Sequence, residues 1–158
     1  MNRILHSLSI AIFALFLGSQ VTEGILLIPY WKSLSAEDFF EYYNAFGPQI
    51  GQFYTILTIV AVLIPIIVSI YFFKKNKRAF TYTALASISA LGIIAVFYIY
   101  FKGTNQQFYD ASLSPSELKT VLNTWEIWHW ARVGLEVVTL VLLILGFGQV
   151  QKQQFQNL

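Results

Sequence analysis

Three apolar stretches, residues 50–73, 79–101 and 130–147, constrain this chain more than anything else in it. About 20 helical residues cross a hydrocarbon core, and each stretch has roughly that length. A fourth run, residues 8–17, is too short alone, but apolar character resumes over residues 24–29. One helix over about residues 4–28 therefore spans a bilayer with some tilt. The basic start and the small residues Gly18 and Ser19 also resemble a cleaved secretory signal. The missing A-x-A pattern and the resumed apolar run argue against that, so four membrane helices are expected.

The composition agrees. Of 158 residues, 56% are hydrophobic and 11% charged, and the mean hydropathy is +0.60. That is too apolar for a water-soluble domain of this size. The expected architecture is an all-α, integral membrane four-helix bundle forming a single domain, with helices at about 4–28, 50–73, 79–101 and 116–147.

Charge sets the orientation. Arg3, Lys74, Lys75, Lys77, Arg78 and Lys152 place six basic and no acidic residues on one side. The opposite connections hold Lys32, Lys102 and Lys119 against Glu37, Asp38, Glu41, Asp110 and Glu117. The positive side is expected to be cytoplasmic, with both termini inside a multi-pass protein of the cell membrane. The basic cluster is used up by this signal and is not interleaved with base-stacking aromatics, so no nucleic-acid partner is expected. With no cysteine, disulfides and thiolate metal ligands are excluded. The oligomeric state is not encoded in any of these features.

The outer connections carry their own signals. Ser35-Ala-Glu-Asp38 begins a helix and Gly47-Pro48 is a stop, which predicts a short outer interfacial helix over 36–46 with Phe39, Phe40, Tyr43 and Phe46 on one face. Ser114-Pro115-Ser116-Glu117 combines an N-cap serine, a first-turn proline and a third-position glutamate. A helix running from there to Phe147 exceeds the hydrocarbon thickness, so its first turns project outside. Pro65 predicts a bend in the second helix. The small residues Ala84, Ala86, Ser87, Ser89, Ala90 and Gly92 predict close packing of the third.

The polar residues of the fourth helix are the chemically distinctive ones. Trp125, His129, Arg132 and Glu136 follow spacings of four, three and four, which puts them on one stripe; Glu126 flanks it. Glu23 on the first helix lies six residues before Pro29, about 9 Å inside the outer end at 1.5 Å per residue. That matches the depth of His129 and Arg132. Ionisable groups inside a membrane face a partner or a wet cavity, so Glu23 is expected to meet Arg132 or His129 across a helix interface. The same pair also suits a purely structural role, fixing helix register.

Metal chemistry is only weakly supported. Glu126-Ile-Trp-His129 is an E-x-x-H, but di-iron bundles need that motif twice with two further glutamates. His6, at the opposite end of the first helix, cannot complete such a site or a bis-histidine haem within one chain. No cofactor is predicted, and a mononuclear metal on His129, Glu126 and either Glu23 or Glu136 is the remaining alternative.

Trp125-Glu-Ile-Trp-His-Trp-Ala-Arg132 resembles the W-E-x-W-H-x-x-R signature of a small four-helix membrane family, mostly of unknown function, that includes the fungal anthrone oxygenases. Glu23 before Pro29 is similar to an acidic residue near the end of that family's first helix, and Asn105 resembles an asparagine after its third. The chain departs from the family after Asn105, where Gln106, Gln107, Phe108 and Tyr109 replace a proline and a second asparagine. The resemblance implies oxidation of an acidic C–H in a flat aromatic compound by molecular oxygen, in an outward-facing pocket. His129 would then remove the proton, Arg132 stabilise the oxyanion, and Glu23 or Glu126 orient the imidazole. Trp125, Trp128, Asn105 and Glu136 would bind substrate. The alternative is a non-catalytic membrane protein that binds a lipid or quinone-like molecule, or supports a partner complex.

Overall fold

The computed structural model describes the backbone of residues 3–156 and the side chains of residues 7–150. Arg3, His6 and Lys152, which enter the charge and ligand arguments above, have side chains outside the described residues. The described chain is all-helical. Helix α1 (residues 3–33) runs through Arg3–Thr22, a π-helical turn at Glu23–Leu27 and a last stretch at Ile28–Ser33. Helix α2 is Ala36–Phe72, α3 is Lys77–Tyr109 with a π-helical turn at Phe97–Phe101, and α4 is Pro115–Gln156. All four are long and apolar enough to cross a membrane.

Local chemistry explains where these helices begin. Ser35 Oγ accepts from the Asp38 amide at 3.1 Å, capping α2, and Asn76 Oδ1 accepts from the Ala79 amide at 2.9 Å, capping α3. At α4 the Ser114 amide donates to Glu117 Oε2 at 2.8 Å, which satisfies a donor that the first helical turn leaves over. The turn before α4 has Ala111 in the left-handed region, at φ 48°.

Two expectations about boundaries change. Residues 36–46 do not form a separate short helix, because α2 continues through Gly47 and Pro48 without interruption. Proline removes one backbone bond and crowds one carbonyl, a local cost that packing elsewhere can offset. Here the segment before it is anchored by buried Phe39, whose ring meets Trp31, Tyr43 and Phe108. Helix α3 likewise does not stop at Phe101 but continues to Tyr109, carrying Asn105 inside the helix.

Helix α1 packs on α2 and α4, and α3 packs on α2 and α4, closing a four-helix bundle. The α3–α4 interface is the most extensive. Small residues permit it: Ala79, Thr83, Ala86 and Ala90 are buried on α3, and a Cβ added at Gly146 would stand 3.0 Å from Thr83 Cγ2. The middle of the bundle is filled by Phe13, Phe16, Ala61, Val62, Ile93 and Leu143. The outward faces are apolar too, with Leu15, Ile70, Ile88 and Ile127 exposed. Such faces suit acyl chains, and in water they would associate.

Candidate functional site

The third of the bundle nearest the connection between α1 and α2 holds an ion-paired cluster built by α1 and α4. Arg132 Nη2 donates to Glu23 Oε2 at 3.3 Å and to Gln20 Oε1 at 2.5 Å. The same nitrogen lies 3.0 Å from His129 Nδ1. His129 Nε2 lies 2.9 Å from the Gln20 carbonyl oxygen. A carbonyl only accepts and a guanidinium only donates. His129 is therefore the neutral tautomer with its proton on Nε2, and its Nδ1 lone pair is taken by Arg132. Glu23 Oε2 lies 3.7 Å from that Nδ1. All four side chains are buried, Gln20 and His129 completely.

Both π-helical turns deliver residues to this cluster. In α1 the Ile28 amide bonds the Glu23 carbonyl, five residues back. Pro29 follows and has no amide to continue the ordinary ladder, which accounts for a wider turn at this point. In α3 the Lys102 amide bonds the Phe97 carbonyl in the same way, and the turn ends on Phe101. The Phe101 ring faces the Arg132 guanidinium at 4.6 Å and meets Trp125 edge-on at 4.9 Å. Cation–π contact of this kind stabilises a guanidinium that is out of water.

The expected site residues divide into those in the cluster and those beside it. Trp125 stacks on the His129 ring at 5.3 Å with an interplanar angle of 11°, and its Nε1 donates to Asn105 Oδ1 at 3.0 Å. Asn105 thus holds the ring that covers the histidine. Trp128 lies elsewhere, stacked on Tyr100 at 5.4 Å. Glu126 turns outward and pairs with Lys32, so it does not orient the imidazole. Glu136 is completely buried one turn beyond Arg132, and neither of its oxygens has a hydrogen-bond partner. Among the described residues no three of His, Asp and Glu converge as metal ligands.

Two contributors are absent from the sequence reading. Gln20 ties Arg132 with its side chain and His129 with its carbonyl; its position three residues before Glu23, on the same helix face, is the available signal. Gly24 lets α4 approach α1. A Cβ there would lie 2.7 Å from Trp130 Cζ2 and 3.0 Å from His129 Nε2.

The end of the bundle beyond the cluster is filled with rings. Trp31, Phe39, Phe101, Phe108 and Trp125 form one buried group with Leu118 and Leu122. Open space lies to the side instead. A cleft of about 350 Å³ is lined by Thr22, Glu23, Leu26, Leu27 and Tyr30 of α1 and Tyr54 of α2. Glu23 therefore belongs both to the ion-paired cluster and to the cleft wall. Tyr54 Oη donates to the Ser19 carbonyl at 3.2 Å across the same helix pair. His129 is not among the cleft's lining residues. Comparison with family models, curated proteins and solved structures yields no match to this chain.

Proposed function

We propose that this chain is a multi-pass protein of the cytoplasmic membrane, with both termini inside, that binds a small flat aromatic or quinone-like molecule in the cleft between α1 and α2. The orientation rests on the one-sided basic residues. The region around residues 36–46, rich in exposed and half-buried aromatics, would lie at the outer membrane interface. The observation that carries the binding reading is one carboxylate in an otherwise largely apolar cleft. Glu23 is 5% exposed, paired with Arg132, and set among Leu26, Leu27 and Tyr30. Apolar walls with one or two fixed polar groups are what a small-molecule site requires, and about 350 Å³ is within the usual range. The carboxylate would accept from a ring hydroxyl, and the tyrosines would flank the ring plane. With the outer end filled by aromatic packing, such a ligand would enter sideways from the lipid.

The resemblance at residues 125–132 supports an oxygen-dependent reaction as a second reading. The base in that case would be Glu23, since both His129 nitrogens are engaged. It would take the proton of an acidic C–H, and the ring-stabilised anion would pass its electrons to molecular oxygen. Arg132 and His129 would act behind it as positioning residues.

Location is tested by labelling, which the absence of cysteine makes clean. Single Leu26→Cys and Ile127→Cys variants are reacted with a membrane-permeant maleimide, with and without anthrone or a short-chain quinol. Slower labelling of Leu26→Cys alone is expected. Equal rates with and without both probes would refute the cleft as their site.

A further inference from the structure

Glu136 takes no part in the cleft, yet it is the most deeply placed acid among the described residues. It is completely buried, and both carboxyl oxygens lack a hydrogen-bond partner. Two donors of the neighbouring residues are in the same condition, Gln20 Nε2 and Arg132 Nε. Residues 132 and 136 are one turn apart on α4 and so share a face of that helix, with Arg132 paired to Glu23 across the interface. The groups facing this region can be counted helix by helix. Helix α1 contributes Glu23 and Gln20, and α4 contributes His129, Arg132 and Glu136. Helix α2 brings Tyr43, whose ring lies against Trp31, and Tyr54, which donates to the Ser19 carbonyl and so keeps its proton. Helix α3 brings the Phe101 ring and the Ser89 hydroxyl, which donates to the Leu135 carbonyl.

The charge count leaves one acid too many. Arg132 is a permanent cation, and His129 is neutral by its hydrogen bonds. Two carboxylates would therefore leave an uncompensated negative charge inside the membrane, which is expensive. One proton removes it.

We propose that Glu23 and Glu136 form a proton-binding site in which a single proton is shared across Arg132. The exchange is Glu136–COOH with Glu23–COO⁻ going to Glu136–COO⁻ with Glu23–COOH. One O–H bond breaks, one forms, no electrons are transferred, and the guanidinium keeps all its protons. The cluster is neutral in both states. With the proton on Glu136, the Glu23 carboxylate has the Arg132 contact already described. With it on Glu23, the Glu136 carboxylate would need donors, and the neighbouring residues hold two buried ones without a partner, Arg132 Nε and Gln20 Nε2. Glu23 thereby gains or loses a proton at the cleft wall without leaving a bare charge behind it. This is a property of the protein alone and stands whether or not anything binds the cleft.

Infrared spectroscopy of the purified chain in lipid, in H2O and D2O near neutral pH, tests it. A protonated carboxyl band that shifts down in D2O is expected in the wild type. Sharing makes a specific demand: Glu136→Gln and Glu23→Gln each abolish the band, because the single remaining carboxylate then pairs with Arg132. A band that survives Glu23→Gln means Glu136 holds its proton privately, and one that survives Glu136→Gln belongs to another group. Either result overturns the proposal, as does absence of the band from the wild type. Should a glutamine variant fail to fold, Glu23→Asp takes its place. The band must then shift in frequency, and an unchanged band refutes sharing.

Discussion

His129 Nδ1 accepts from Arg132 Nη2 at 3.0 Å, while His129 Nε2 donates to the Gln20 carbonyl at 2.9 Å, so one nitrogen of this histidine ties α4 to α1 and the other holds the guanidinium that pairs with Glu23. The residue type most often taken for a general base has both ring nitrogens occupied, and the carboxyl group that lines the cleft is Glu23. Replacing His129 with Ala leaves a buried carbonyl and a buried guanidinium short of a partner and opens space beside Trp125. A loss of about 1–3 kcal/mol in unfolding free energy follows from the unpaired groups. Unfolding by titration with a denaturing detergent measures it.

Gly24→Ala should destabilise by about 1–3 kcal/mol, the usual range for overpacking. The added Cβ meets the Trp130 ring at 2.7 Å and His129 Nε2 at 3.0 Å. Gly18→Ala and Gly134→Ala are the controls, since nothing stands within 4 Å of either new Cβ. Those two are expected to be neutral or to gain up to about 1 kcal/mol from better helix propensity. The same detergent titration separates the three.

The contact of Trp125 with Asn105 is a hydrogen bond between α4 and α3, at 3.0 Å. Trp125→Phe and Asn105→Ala remove the same bond, so their effects should not add. A double-mutant cycle is expected to give a coupling of about 0.5–1.5 kcal/mol. A coupling of zero would mean that Asn105 does not hold the ring.

Much of this arrangement is legible in the residues before any coordinates. The three long apolar runs have membrane length, Ser35 and Ser114 have capping spacing, and counting along the helices puts Glu23 at the depth of Arg132, which it contacts at 3.3 Å. Depth, however, fixes only the position along a helix axis. Which way Glu126 and Trp128 turn depends on what α1 and α3 offer them, and the answers, Lys32 and Tyr100, come from tertiary packing. Pro48 reads as a terminator because the local rule prices one lost bond, whereas the aromatic packing that carries the helix through it is non-local. The π-helical turn at Glu23–Leu27 is marked by Pro29, but the one at Phe97–Phe101 has no such mark.

Glu126 supplies a negative result. Its pair with Lys32 is partly exposed, each side chain being 31% accessible, so Glu126→Gln should change stability by no more than about 1 kcal/mol. It should also leave ligand affinity unchanged, because Glu126 is not among the residues that line the cleft.

The most direct measurement is therefore a comparison of affinities for anthrone and a short-chain quinol in the wild type, Glu23→Gln and Glu126→Gln, followed by tryptophan fluorescence in detergent. A charge-assisted hydrogen bond to the ligand contributes about 1.5–3 kcal/mol, and each 1.4 kcal/mol is a factor of ten. Glu23→Gln should accordingly weaken binding of the probe that the cleft accepts by about tenfold or more, with Glu126→Gln equal to the wild type. Equal affinity in all three proteins, or no binding of either probe to the wild type, would contradict the assignment of Glu23 as the group that meets the ligand.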